Sequence, residues 1–147
     1  MVRLTIETLE GRDLMSATVS ARAALAGLRA APAWPDAPRP VRADDLLPER
    51  ALDGDEDARE QLIHDVYEPL LGGGSPLLDT LTTYLEQGCS LEATARLLFV
   101  HPNTVRYRLR RVSELTGHLP AHGRGAFALR VAIALGRLDG TTSAPVL

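Results

Sequence analysis

The chain has 147 residues, 45% of them hydrophobic and 24% charged, with a formal net charge of −3. These values describe a globular chain of one compact domain or two small ones, and they exclude a disordered or membrane-embedded polypeptide. Aromatics make up only 4% of the residues, so the core has to be built from Leu, Ala and Val, which suits helices better than a large sheet.

All sixteen basic residues are arginine, a bias that the base composition of a GC-rich genome accounts for before function does. The single cysteine, Cys89, cannot form an internal disulfide, and no secretory signal is visible, which fits a reducing cytoplasm. No apolar run is long enough to span a bilayer, since Arg130 interrupts the most apolar helix, so no membrane partner is expected.

In chain order, Val2–Ile6 alternates apolar and polar residues as a short strand would. Ser16 to Ala31 reads as an amphipathic helix with Ala24, Leu25 and Leu28 on its apolar side, stopped by Pro32 and Pro35. Pro32–Pro40 holds four prolines and reads as an extended linker, with Trp34 anchoring it against a helix.

Val41–Leu71 contains ten acidic residues against three arginines. Asp53, Asp55, Glu56 and Asp57 fall before and within the first turn of a helix running to about Leu71, where the helix dipole favours them. Leu62, Val66, Tyr67 and Leu70 supply its buried stripe. The acidic cluster lacks further ligands for a metal, and Gly72–Gly74 lacks the lysine and following Ser/Thr of a phosphate loop.

Ser75-Pro76 opens the next helix, with Leu77, Leu78, Leu81, Tyr84 and Leu85 inward and Gly88 closing it. Ser90 then caps a helix with Leu91, Ala95 and Leu98 on one side, and after a tight corner at Phe99 and Val100 comes another with Val105, Leu109 and Val112 on one side. Pro102 suits the first turn of that second helix and Gly117 its stop. Phe127, Leu129, Val131, Ile133 and Leu135 mark a final helix apolar enough to need burial on more than one side, either against this pair or in a dimer interface. Pro120 lies between His118 and His122 and breaks the helix that would align them as metal ligands.

Between Ala93 and Ser113 stand Arg96, Arg106, Arg108, Arg110 and Arg111 with no carboxylate. The face opposite the buried stripe of the second helix carries Asn103, Tyr107 and Arg110, flanked by Thr104, Arg106 and Arg111. Helix, tight turn and arginine-rich helix is the layout of a helix-turn-helix that lays its second helix in the major groove of DNA. The competing reading is an ordinary helical hairpin whose arginines face water, within a module that binds protein rather than DNA. No constellation of nucleophile and base points to an enzyme.

Leu78-Asp-Thr-Leu81, Tyr84-Leu85, Glu92-Ala-Thr-Ala-Arg96, the run His101-Pro-Asn-Thr-Val-Arg-Tyr-Arg-Leu109, and Thr116-Gly117 closely resemble the C-terminal helix-turn-helix of PucR/CdaR-type bacterial transcription regulators. Upstream, residues 21–29 and 39–50 look like the tail of the regulatory region that precedes that domain. Together with Phe99-Val-His-Pro102 they are most similar to actinobacterial activators of fatty-acid synthesis genes.

The resemblance covers about Ser20 to Leu138; Met1–Val19 shows no match, and family members are usually several times longer, with N-terminal sensing domains. It implies a mainly α fold divided into an N-terminal remnant and linker (1–42), an acidic helical connector (43–75), the helix-turn-helix domain (76–138) and a tail (139–147).

It also implies a homodimer on double-stranded DNA, with contact to RNA polymerase if the protein activates, and no cofactor. Arg106 and Arg110 are expected to read guanine and Asn103 adenine, because those side chains pair bidentately with those base edges. Thr104, Tyr107, Arg108 and Arg111 are expected to hold phosphates, with Arg96 touching the backbone from the preceding helix.

Overall fold

A computed structural model describes the chain from Gly11 to Thr142, and the strand expected at Val2–Ile6 lies outside the described residues. Every regular element among the described residues is helical: α1 (Gly11–Ala30), α2 (Leu47–Leu52), α3 (Glu56–Leu62), α4 (Glu68–Gly72), α5 (Ser75–Glu86), α6 (Leu91–Leu97), α7 (Pro102–Thr116) and α8 (Gly123–Thr142), with short 3-10 turns at Ala31–Ala33 and Ala43–Leu46.

One core serves α3 to α8. Leu62, Val66 and Leu70 meet Leu77, Leu81, Tyr84 and Leu85 of α5, Ala95 of α6, Val105, Leu109 and Val112 of α7, and Ala126, Leu129, Val131, Ala132 and Ile133 of α8. Helix α8 is apolar on several sides because it completes the helix-turn-helix core while also packing on α2, α3 and the turn between α3 and α4. Its Arg130 reaches across to α5 and donates from Nη2 to Leu85 O at 2.6 Å.

The acidic helix is continuous from Glu56 to Gly72 but passes through a π turn at Ile63–Tyr67, where Glu68 N–H donates to Ile63 O. The following residue, Pro69, has no N–H and would press on the carbonyl four residues back in a regular α-helix. Widening the preceding turn by one residue relieves that clash.

The buried side of α1 differs from expectation. Leu25 and Leu28 are 64% and 72% exposed and Ala24 is exposed with them, and within residues 20–30 those turned inward are Ala26, Gly27 and Ala30. The reason is close approach: a Cβ on Gly27 would lie 3.3 Å from that of Ala43. Small residues let the helix sit tightly on the 43–46 turn, and that packing outweighs the leucine stripe. The cap of α5 also falls one residue early, on Gly74 at φ 94°, with Pro76 just inside the helix.

The proline-rich segment is anchored through Trp34, whose ring lies 3.9 Å beneath the Arg124 guanidinium of α8. Arg124 is also ion-paired with the buried Glu49 of α2 and donates to Asp45 O, so one side chain ties linker, α2 and α8 together. Burial, then the neighbouring Arg124 charge, lowers the His118 pKa below its usual value.

Two glycines of α8 are set by packing. A Cβ on Gly136 would overlap the Tyr67 ring, and one on Gly125 would overlap the backbone of Leu119. Alanine gains about 1 kcal/mol of helix propensity over glycine, but overpacking costs ~1–3 kcal/mol and more where backbone must move. Gly125→Ala is therefore expected to lower unfolding stability, whereas Gly140→Ala, with nothing within 4 Å, is expected to raise it; paired denaturant titrations give the opposite signs.

Candidate nucleic-acid interface

Local chemistry alone sets the boundaries of the α6–α7 pair. Ser90 Oγ accepts from Ala93 N–H at 3.3 Å and opens α6. Phe99 N–H donates to Arg96 O and Val100 N–H to Ala95 O, so α6 ends in a Schellman motif with Phe99 at the left-handed position, φ 53°. Glycine is the usual residue there, and Phe99 occupies the place a glycine takes in many such corners. Val100 folds back on the core beside Ala95.

Helix α7 begins where the His-Pro-Asn-Thr run places it. His101 is the cap residue, its Nδ1 accepting from Asn103 N–H at 3.1 Å, and Pro102 is the first helical residue. It ends at Gly117, φ 72°. The imidazole cap was not expected from the sequence; His101 two residues before a backbone N–H at a proline-opened helix was its only signal.

Val105, Leu109 and Val112 are buried, so the opposite face of α7 is presented to solvent. Asn103, Arg106, Tyr107, Arg110 and Arg111 are exposed on it, as is Arg96 on α6, while Thr104 and Arg108 sit half-buried on its flanks. Arg106 Nη1 donates to Asn103 Oδ1 at 2.6 Å, which holds two of the expected base-reading side chains side by side.

Arg108 is engaged differently from its neighbours. Its Nη1 donates to Thr80 Oγ1 at 3.0 Å, and that fully buried hydroxyl in turn donates to Pro76 O. The guanidinium thus fixes α7 against α5. Arg110 and Arg111 both pair with Glu114, at 3.3 and 3.2 Å. This carboxylate lies just past the acid-free window, and its i, i+4 and i, i+3 spacing to the arginines was open to reading from the sequence.

The acidic segment is joined to α7 through Leu62, Val66 and Leu70, on the side of the buried stripe. Its carboxylates pair with Arg22, Arg29, Arg42, Arg50, Arg59 and Arg124, leaving the arginine face of α7 to solvent and to Glu114.

Two helices joined by a tight corner, the second capped at both ends, arginine-rich on its solvent face and carried on a helical core, make the layout of a helix-turn-helix. Residues 77–135 match the PucR C-terminal helix-turn-helix domain, and this part of the chain is such a domain.

An uncharacterised protein of Mycobacterium tuberculosis is 50% identical over 129 residues, covering 88% of this chain and 31% of the relative. The purine catabolism regulatory protein of Bacillus subtilis is 44% identical over 62 residues, 42% of this chain and 12% of that protein. Among solved structures, the regulator of polyketide synthase expression from Bifidobacterium adolescentis aligns with a TM-score of 0.75 at 50% identity, covering 80% of this chain and 50% of that one. The chain thus spans about a third of the length of its mycobacterial relative. Among the described residues no helix is long and apolar enough to cross a membrane.

Proposed function

We propose that the chain binds double-stranded DNA sequence-specifically, as a homodimer, with α7 in the major groove. The observation that carries this reading is the solvent face of α7, where Asn103, Arg106, Tyr107, Arg110 and Arg111 project beside Arg96 of α6. In this arrangement Arg106 and Arg110 read guanine edges and Asn103 adenine. Thr104, Tyr107, Arg111 and Arg96 hold phosphates, and Arg108, with Nη1 committed to Thr80, offers its remaining N–H groups to the backbone. Two copies would read half-sites about 34 Å apart.

The regulated genes are those of acyl-chain synthesis, and the output is activation, through contact with RNA polymerase. Support comes from the likeness to activators of fatty-acid synthesis genes and from the Bifidobacterium neighbour, named as a regulator of polyketide synthase expression. Both kinds of gene product assemble acyl chains.

Selection of bound duplexes from random DNA, followed by a salt titration on the selected fragment, tests the reading. Each phosphate neutralised contributes about −0.9 to the slope of log K against log salt, so four to six phosphates neutralised predict a slope of roughly −4 to −5. Failure to enrich any sequence, or binding indifferent to salt, would overturn it.

A further inference from the structure

Phe99 is the least covered large apolar side chain of the molecule's described residues, 96% exposed, and it stands at φ 53°. An exposed aromatic alone needs no explanation. Here it occupies the one residue of the corner where the backbone favours glycine or asparagine, so it is unfavourable both to the local fold and to the surface. Nothing inside the domain benefits from the ring.

The surroundings of the ring point to a polyanion. Phe99 stands two residues before His101, at the N-terminal end of α7, the end that enters the groove in a helix-turn-helix. Exposed Arg96 precedes it, exposed Asn103 and Arg106 follow it, and residues 93–113 hold no carboxylate. The left-handed backbone turns the side chain out from the fold at the point where the corner would meet the duplex.

We infer that Phe99 makes an apolar contact with DNA beside the base-reading residues, its ring against thymine methyl groups or deoxyribose. The inference rests on the DNA-binding reading above and adds a specificity contact that carries no charge.

Phe99→Asn and Phe99→Gly test it, since both residues accept the left-handed position and preserve the Schellman turn. Each is expected to keep or raise the thermal midpoint while weakening binding to the selected fragment on the order of tenfold. The loss should be equal at every salt concentration, leaving the slope of log K against log salt as in the wild type. Replacing thymines of the fragment by uracil one at a time separates the sources. Contact with a base methyl reproduces half of the loss at one position in each half-site, and contact with sugar leaves the uracil series flat while the Phe99 loss remains. Wild-type affinity in both variants would overturn the inference, and with lost transcriptional output it would assign the ring to a protein partner instead. A fall in midpoint in both variants would also overturn it, by making the ring structural. Failure of the wild type to bind any duplex would reject the DNA-binding reading itself.

Discussion

Arg106→Ala and Arg110→Ala are each expected to weaken binding to the selected duplex by ~1–3 kcal/mol per half-site, and each to relax the preference at one base pair of each half-site. Both side chains are exposed on α7 and neither contributes to the core, so the fold should be unaffected and the loss should be one of recognition. The two residues stand one turn apart on the same helix face, close enough to couple, so the double variant measures that coupling against an additive sum of roughly 30-fold to 10⁴-fold per half-site. Arg106→Ala also releases Asn103, to which the guanidinium donates, so it should disturb preference at the neighbouring base pair as well. Arg111→Ala is the contrast: without this phosphate-binding group in either protomer, all sequences should bind more weakly alike and the salt slope should become shallower by about two units, one for each copy.

A second large effect concerns stability. Arg50 is buried at 3% exposure, with Nε and Nη2 on Asp55 Oδ2 at 2.9 and 2.8 Å and Nη1 on Ala43 O at 3.2 Å. Asp55 in turn caps α3, its Oδ1 accepting from Ala58 N–H. Removing the guanidinium strands a largely buried carboxylate and a backbone carbonyl, and such losses cost ~3–5 kcal/mol. Arg50→Ala is expected to fall in that range by denaturant unfolding. Arg50→Met combined with Asp55→Asn should lose clearly less, because the asparagine keeps the cap and no charge is left uncompensated. Equal losses would show that the ion pair is not what holds α2 to α3.

What could be read from the residues divides along the range of the interactions. The start, end and buried stripe of α7 are local: Pro102, Gly117 and the spacing of Val105, Leu109 and Val112 specify them within a single helix, and that helix spans Pro102–Thr116 as expected. The solvent face then follows from geometry. The inward face of α1 was not legible, because Leu25 and Leu28 have the stronger apolar signal and only the partner at Ala43 reveals that small residues are needed.

Long-range ties were equally hidden. Arg124 reaches Glu49 across 75 residues, and Arg108 reaches Thr80 across 28. In the sequence Arg108 is one more arginine on a basic helix, and only the packing of α5 shows that one of its N–H groups is already committed. The Schellman corner lay between these extremes. Its location at Phe99 and Val100 was readable, but a phenylalanine in the left-handed position runs against residue preference and had to be seen.

The central claim, that Arg106 reads a guanine in the major groove, is tested most directly by pairing protein and base changes. Wild type and Arg106→Ala would be titrated against the selected fragment with each guanine in turn replaced by 7-deazaguanine, which lacks the N7 acceptor. At one position the replacement is predicted to weaken wild-type binding while leaving the variant unchanged, since the hydrogen bond it removes is already absent there. Equal losses in both proteins at every guanine would contradict direct reading by Arg106.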